Sequence, residues 1–118
     1  MSKVGIVVLA DGESPESLGR VVNAFMVARE FKDAGDEVTV VFDGAGTRAA
    51  SAFADQSHDY NELFEAVRDK VAGACEYCAG AFQVREEVQE AGIALLDEYK
   101  GHPSVKKLID QGYEVVSF

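Results

Sequence analysis

The sequence predicts a single α/β domain over residues 1–118, with an open and mostly parallel sheet of about five strands. Segments of strand length alternate with amphipathic helical segments, and no internal repeat, low-complexity tract or linker separates them. The first apolar run, Val4–Leu9, is nearly continuous, which is typical of a strand covered on both faces. Right-handed crossovers between parallel strands follow from this alternation.

The first helix and second strand have clear boundaries. Ser14 is a suitable N-cap, Pro15 a good first helical residue, and Gly35 a suitable end. Apolar residues recur between them at spacings of three and four: Leu18, Val21, Val22, Phe25 and Ala28. β-Branched residues then predict a strand over Glu37–Phe42, and Asp43–Gly46 is the loop at its end.

The middle of the chain predicts two helices and a third strand. Thr47–Gln56 is rich in alanine and weakly helical. A firmer helix starts near Ser57 or Asp59, and its apolar positions are Tyr60, Leu63, Phe64 and Val67. A short strand, Val71–Ala74, follows directly before the first cysteine.

The last third of the chain is less clearly patterned. Short helical turns are expected over Cys78–Val84 and Glu86–Ala91, whereas Gly92–Leu96 suits either a fourth strand or more helix. A final helix over Ser104–Gln111 and a closing strand over Tyr113–Phe118 complete the pattern.

Three loops follow predicted strands at their carboxyl ends: Ala10–Ser14, Asp43–Gly46 and Ala74–Cys78. Ligands of open α/β sheets bind at this edge. We therefore expect the first two loops to form the walls of a pocket around the third.

The charge of the chain excludes several kinds of partner. There are 21 acidic and 11 basic residues, a formal charge of -10, and Lys106-Lys107 is the only adjacent basic pair. Nucleic acids and anionic membranes are therefore not expected partners, because both are bound through clustered Lys and Arg. A solvated acidic surface is the expected outcome, and a cytoplasm of high salt concentration would account for the excess.

The sequence also predicts a cytoplasmic protein. It shows neither a basic segment followed by an apolar run at its start nor an apolar stretch near the roughly 20 residues of a membrane-spanning helix. Its two cysteines, Cys75 and Cys78, lie too close in the chain to cross-link distant parts of a fold. A reducing compartment is consistent with that spacing.

The motif Cys75-Glu-Tyr-Cys78 is the main chemical signal, and four interpretations compete. A reactive thiol pair is favoured, because helix N-termini stabilise thiolates. Two inert packed cysteines are the next alternative. A zinc or iron–sulfur site normally has four ligands, and besides the two cysteines only His58 and His102 remain as soft donors. A thioredoxin-type oxidoreductase would normally carry flanking Trp and Pro, which are absent from this motif.

The residues around the motif give mixed support to thiol activation. Glu76 should raise the pKa of its neighbour Cys75, and Arg85 is the nearest basic residue in the following sequence. Arg85 is expected to be a solvated surface residue, and His58 and His102 to lie in surface loops. We predict Cys75 and Cys78 as the catalytic residues, with no metal and no cofactor, and Cys75 as the faster thiol.

The whole chain resembles the DsrE/DsrF-like family, which includes sulfur-relay subunits of the TusD type. Glu16-Ser-Leu18, Val40–Gly44, the Cys75–Cys78 motif and Gly112–Phe118 carry the resemblance. The resemblance implies a flavodoxin-like three-layer α/β/α fold and assembly into homotrimers or homohexamers. In relay members a cysteine at the start of the third crossover carries a persulfide, and Cys75 occupies the matching position.

The resemblance thus implies a sulfur-trafficking protein that exchanges sulfane sulfur with donor and acceptor proteins, an activity of the sulfurtransferase kind. Cys78 would resolve the persulfide by attacking its inner sulfur or would protect Cys75. A non-catalytic binding or redox-sensing module and a structural oligomer with inert cysteines are the alternatives.

Overall fold

A computed structural model describes all residues from Met1 to Phe118 and contains a five-stranded sheet in which every pairing is parallel. The strand order is β4-β3-β2-β1-β5. The strands are β1 (Lys3–Val8), β2 (Glu37–Phe42), β3 (Val71–Cys75), β4 (Leu95–Leu96) and β5 (Glu114–Ser117). The chain moves outward from β1 to β4 and returns to pair β5 with the other side of β1.

Six α-helices connect these strands. They are α1 (Pro15–Asp33), α2 (Gly46–Ala54), α3 (Asn61–Val67), α4 (Glu76–Ala81), α5 (Arg85–Glu90) and α6 (Val105–Asp110). The helices flank the sheet, as in the flavodoxin-like α/β fold that was predicted, and the prediction is confirmed. The open question over Gly92–Leu96 is resolved in favour of a strand, although β4 has only two residues.

Helix α1 begins and ends as its sequence predicts. Ser14 accepts a hydrogen bond from the N–H of Ser17 at 3.1 Å, and Pro15 opens the helix. Its apolar stripe is buried against the sheet, including Val21, Phe25 and Ala28. Burial of such a stripe supplies most of the stability of a helix in a folded domain.

Four phenylalanines form the centre of the main core, and we call them the phenylalanine core: Phe25, Phe42, Phe53 and Phe64. The ring of Phe25 meets the other three edge-on, with centroid distances of 5.4–6.0 Å. This geometry favours aromatic contact, since the positive edge of one ring meets the negative face of the next. The weakly helical segment after β2 contributes Phe53, so packing rather than propensity stabilises α2.

Helix α6 covers part of the second face of the sheet. The Leu108 side chain of α6 lies over Gly5 of β1, where an added Cβ would be 3.3 Å from it. Beside this contact, a cavity of about 180 Å³ lies between α6 and the sheet, and Val7, Val41 and Leu96 help to line it. The two faces of the sheet are therefore packed differently, with the larger side chains on the α1 face.

Candidate functional site

The two cysteines lie where β3 passes into α4, as the sequence predicts. Cys75 is the last residue of β3 and the N-cap of α4, and its Sγ accepts a hydrogen bond from the N–H of Cys78 at 3.3 Å. Cys78 sits in the first turn of α4. The short motif thus brings a second thiol back toward the first, because residues three apart lie on one side of a helical turn.

Three neighbouring strands bring four polar side chains to this junction. Asp43 follows β2, Cys75 ends β3, and His102 lies in the loop after β4. Together with Cys78 they form what we call the thiol cluster, in which one donor atom from each residue lies within 4.8 Å of all the others. Parallel strands place their carboxyl ends at one edge of the sheet, which explains how distant segments meet here.

The contacts within the thiol cluster link its members in a chain. Cys75 Sγ lies 3.3 Å from His102 Nδ1, and the Cys78 thiol donates to Asp43 Oδ1 at 3.4 Å. Asp43 Oδ1 also accepts the N–H of Gly44 at 2.8 Å, which orients the carboxylate. Cys75 is completely buried, whereas the other three cluster residues are partly exposed.

A tight turn places His102 beside the thiol. Lys100 and Gly101 both have positive φ, 49° and 86°, and the N–H of Tyr99 donates to the carbonyl of His102 at 2.8 Å. Two successive residues of positive φ are typical of a type I′ turn, which favours glycine at its second position. The Gly101 carbonyl then accepts the N–H of Tyr77 at 3.0 Å, which ties this turn to α4.

His102 lies in a partly exposed loop, as the sequence predicts, but its contact with Cys75 is not predicted. The residue is 27 positions from Cys75 and in a segment without helix or strand periodicity, so no local pattern placed it. The sequence feature that could have located His102 is Gly101, a glycine in the loop after a short strand. His58 differs: its ring stacks on Phe53 at 4.0 Å between centroids, and its Nδ1 accepts the N–H of Tyr60.

The expected fall in the pKa of Cys75 is wrong. Burial raises the pKa of the Cys75 thiol to about 12, and the N–H of Cys78 only partly opposes this effect. The Cys78 side chain and the negative charge of Asp43 raise the pKa further. Helix α4 has only six residues, so its terminus is a weak source of positive charge against full desolvation.

Two predicted neighbours of the cysteines have other partners. Arg85 forms an ion pair with Glu76 at 3.1 Å and remains about half exposed, as expected of a surface arginine. Because Arg85 offsets the charge of Glu76, neither residue decides the charge state of the thiol cluster.

The loop Ala10–Ser14 does not join the thiol cluster. Asp11 accepts the N–H of Glu13 and the hydroxyl of Ser17, and these hydrogen bonds lower the pKa of its carboxyl group. Glu13 in turn pairs with Arg48 at 3.2 Å. Of the two loops expected to wall the site, only the one that begins at Asp43 supplies a residue to the thiol cluster.

A comparison with family models settles the relationship of this chain to known proteins. The model of the DsrE/DsrF-like family matches residues 5–118. The chain belongs to the DsrE/DsrF-like family. An uncharacterized protein of Methanocaldococcus jannaschii is 32% identical over 96 residues, which cover 81% of this chain and 78% of that protein.

The fold of this DsrE/DsrF-like protein is found in a solved structure as well. A conserved protein of unknown function from Bacteroides thetaiotaomicron superposes with a TM-score of 0.64 over 97% of this chain and 94% of that chain. The identity is 16%, so this likeness concerns the fold alone. Family membership supports a role related to sulfur relay at the level of the family. None of the helices has the length and apolar character needed to cross a membrane.

Proposed function

We propose that this DsrE/DsrF-like protein carries sulfane sulfur as a persulfide on Cys75 and transfers it to an acceptor thiol. The observation that supports this proposal is the 3.3 Å approach of His102 Nδ1 to Cys75 Sγ, with a second thiol one helical turn away. A nucleophile beside a base, with a resolving thiol nearby, is the arrangement that thiol chemistry requires.

Loading begins with transfer of the Cys75 proton to His102. Burial opposes a lone thiolate, but this proton transfer produces a thiolate beside an imidazolium, so the two charges stabilise each other. The Cys75 thiolate attacks the outer sulfur of a donor persulfide. A bond from Sγ to that sulfur forms, the S–S bond of the donor breaks, and the donor leaves as a thiolate that takes up a proton.

The sulfur then leaves by one of two balanced steps. In transfer, the thiolate of an acceptor protein attacks the outer sulfur and Cys75 becomes a thiol again. In resolution, the Cys78 thiolate attacks Sγ of Cys75, which forms a Cys75–Cys78 disulfide and releases hydrosulfide. An external dithiol must then reduce the disulfide before another cycle.

A redox-sensing module is the second candidate, and the proximity of the two thiols supports it. The Sγ atoms of Cys75 and Cys78 lie within 4.8 Å of each other, and Cys78 is partly exposed. Such a module would form the same disulfide directly with an oxidant, without first accepting sulfur. Only the sulfur carrier would form a stable product that has gained one sulfur atom.

The proposed partners are sulfur donor and acceptor proteins, and we propose assembly as a homotrimer or homohexamer in the cytoplasm. Exposed apolar side chains support self-association, among them Leu9, Met26 and Val116. Light scattering at micromolar concentration should give the mass of several chains, and a monomer would contradict this part of the proposal.

Mass spectrometry after incubation with polysulfide tests the function. The reduced protein should gain the mass of one sulfur on the peptide that contains Cys75, and Cys75→Ser should abolish the gain. Cys78→Ser should load and retain the sulfur longer, because it lacks the resolving thiol. A Cys75–Cys78 disulfide in the parent protein, combined with no added sulfur in Cys78→Ser, would favour the sensor instead.

A further inference from the structure

The thiol cluster has the composition and the dimensions of a zinc site. Zinc prefers cysteine sulfur, histidine nitrogen and carboxylate oxygen in a tetrahedral arrangement. The cluster offers Sγ of Cys75 and Cys78, Nδ1 of His102 and a carboxylate oxygen of Asp43. Many structural zinc sites also take two of their four ligands from a pair of cysteines that are separated by two residues.

The separations of the donor atoms agree with this interpretation. Zn–S bonds of about 2.3 Å and Zn–N or Zn–O bonds of about 2.0–2.2 Å place the donors of a tetrahedral site about 3.3–3.8 Å apart. Cys75 Sγ and His102 Nδ1 are 3.3 Å apart, and Cys78 Sγ and Asp43 Oδ1 are 3.4 Å apart. Every other pair lies within 4.8 Å, so a contraction of about 1.5 Å at most completes the site.

The electrostatic surroundings favour a cation as well. Asp43 takes part in none of the ion pairs of the protein, so no Lys or Arg neutralises it. Two thiols beside an unpaired carboxylate form a poor environment for free thiolates, whereas a divalent cation deprotonates coordinating thiols outright. The N–H of Cys78 donates to Cys75 Sγ, the kind of supporting contact that orients a metal ligand.

We propose that Asp43, Cys75, Cys78 and His102 bind one zinc ion per chain. The sequence alone does not favour a metal site, because it shows two cysteines and two histidines of unknown position, and the fold supplies His102 and Asp43. The inference goes beyond the proposed sulfur transfer and does not rest on it. Zinc bound to both thiols would hold the protein in a form that cannot accept sulfur, since the nucleophile is then a metal ligand.

The test is a zinc titration of the reduced, chelator-stripped protein in competition with a chromophoric chelator. One zinc ion should bind per chain, and Co²⁺ in its place should give the intense visible absorption of a tetrahedral site with thiolate ligands. His102→Ala and Cys78→Ser should each weaken zinc binding at least about tenfold, whereas His58→Ala should bind like the parent protein. Melting curves verify that each variant is folded.

A second readout uses the partly exposed thiol. Zinc should slow alkylation of Cys78 in the parent protein, and the same slowing in His102→Ala should need at least about tenfold more zinc. Failure to bind zinc at micromolar concentration, an octahedral Co²⁺ spectrum, or equal affinity in His102→Ala and His58→Ala would overturn the proposal. Sulfur loading is measured with chelator present, so each proposal succeeds or fails on its own experiment.

Discussion

The phenylalanine core is shielded from water and the thiol cluster only in part, and different interactions hold the two regions together. In the core, Phe25 contacts three other rings, and its stability comes from apolar area and close packing. In the thiol cluster, hydrogen bonds join small polar groups that lie at or after the carboxyl ends of three neighbouring strands. We therefore expect the first region to contribute most of the stability of the protein, and the second to contribute little stability while carrying the proposed chemistry.

The largest expected effect on stability comes from the phenylalanine core. Phe25→Ala should lower the free energy of unfolding by about 3–5 kcal/mol, because it removes a fully buried ring and leaves a cavity. Asn23→Ala is the matched control in the same helix, since Asn23 is exposed, and it should change the value by less than about 1 kcal/mol. Denaturant unfolding measures both, and equal losses would contradict the assignment of Phe25 to the centre of the core.

Cys75→Ala tests the contrast directly. It removes only one buried heavy atom, so its cost should stay below about 2 kcal/mol while sulfur loading disappears. A loss of stability as large as that of Phe25→Ala would show that the cluster is mainly structural.

The two cysteines should differ by more than about tenfold in their rate of alkylation at neutral pH. Cys78 should react first with iodoacetamide, because it is partly exposed, whereas Cys75 is buried and its pKa is raised to about 12. Peptide mapping after short labelling times distinguishes the two thiols, and denatured protein, in which the rates converge, is the control. Faster labelling of Cys75 would agree with the prediction from the sequence and contradict the burial seen in the structure.

A smaller, pH-dependent effect is expected at Glu98, in the loop that carries His102. The Lys107 side chain, 2.9 Å away, and the N–H of Ser104, 3.1 Å away, lower the pKa of the Glu98 carboxyl group. A carboxylate whose pKa is lowered by folding stabilises the protein above its unfolded-state pKa of about 4.3, and this contribution is lost as the pH falls through the folded-state pKa.

Glu98→Gln should therefore destabilise the protein by about 1 kcal/mol at pH 7, with the ion pair discounted for its exposure. The difference from the parent protein should shrink below pH 4. Glu86→Gln, at an exposed position of α5, is the control and should show no such convergence. A difference that stays constant from pH 7 to pH 3 would rule out the charged form of Glu98 as its cause.

The sequence predicted the elements whose information is local. The periodicity of α1, its Ser14 cap and the strand-to-helix position of Cys75 all depend on residues a few positions apart, and the structure confirms them. The sequence does not distinguish strand from helix at β4, because two strand residues are too few to show a periodicity.

The thiol cluster was predicted only in part, because two of its members come from distant segments. Asp43 lies 35 residues from Cys78, and His102 lies 27 residues from Cys75. The sequence shows which loop carries Asp43 and which carries His102. The register of the sheet and the turn at Gly101 bring the two residues together. The pKa of Cys75 was mispredicted for a related reason, since burial depends on the assembled fold and not on the helix end alone.

The most direct test of the account is the rate of sulfur loading in two single-histidine variants. The chain has only two histidines, and one contacts Cys75 while the other stacks on Phe53. With chelator present, His102→Ala should load sulfur from polysulfide about 100-fold more slowly, the effect expected for loss of a general base, and His58→Ala should load at the parent rate. Equal rates in the two variants would contradict the central claim that residues from separate loops act together at Cys75.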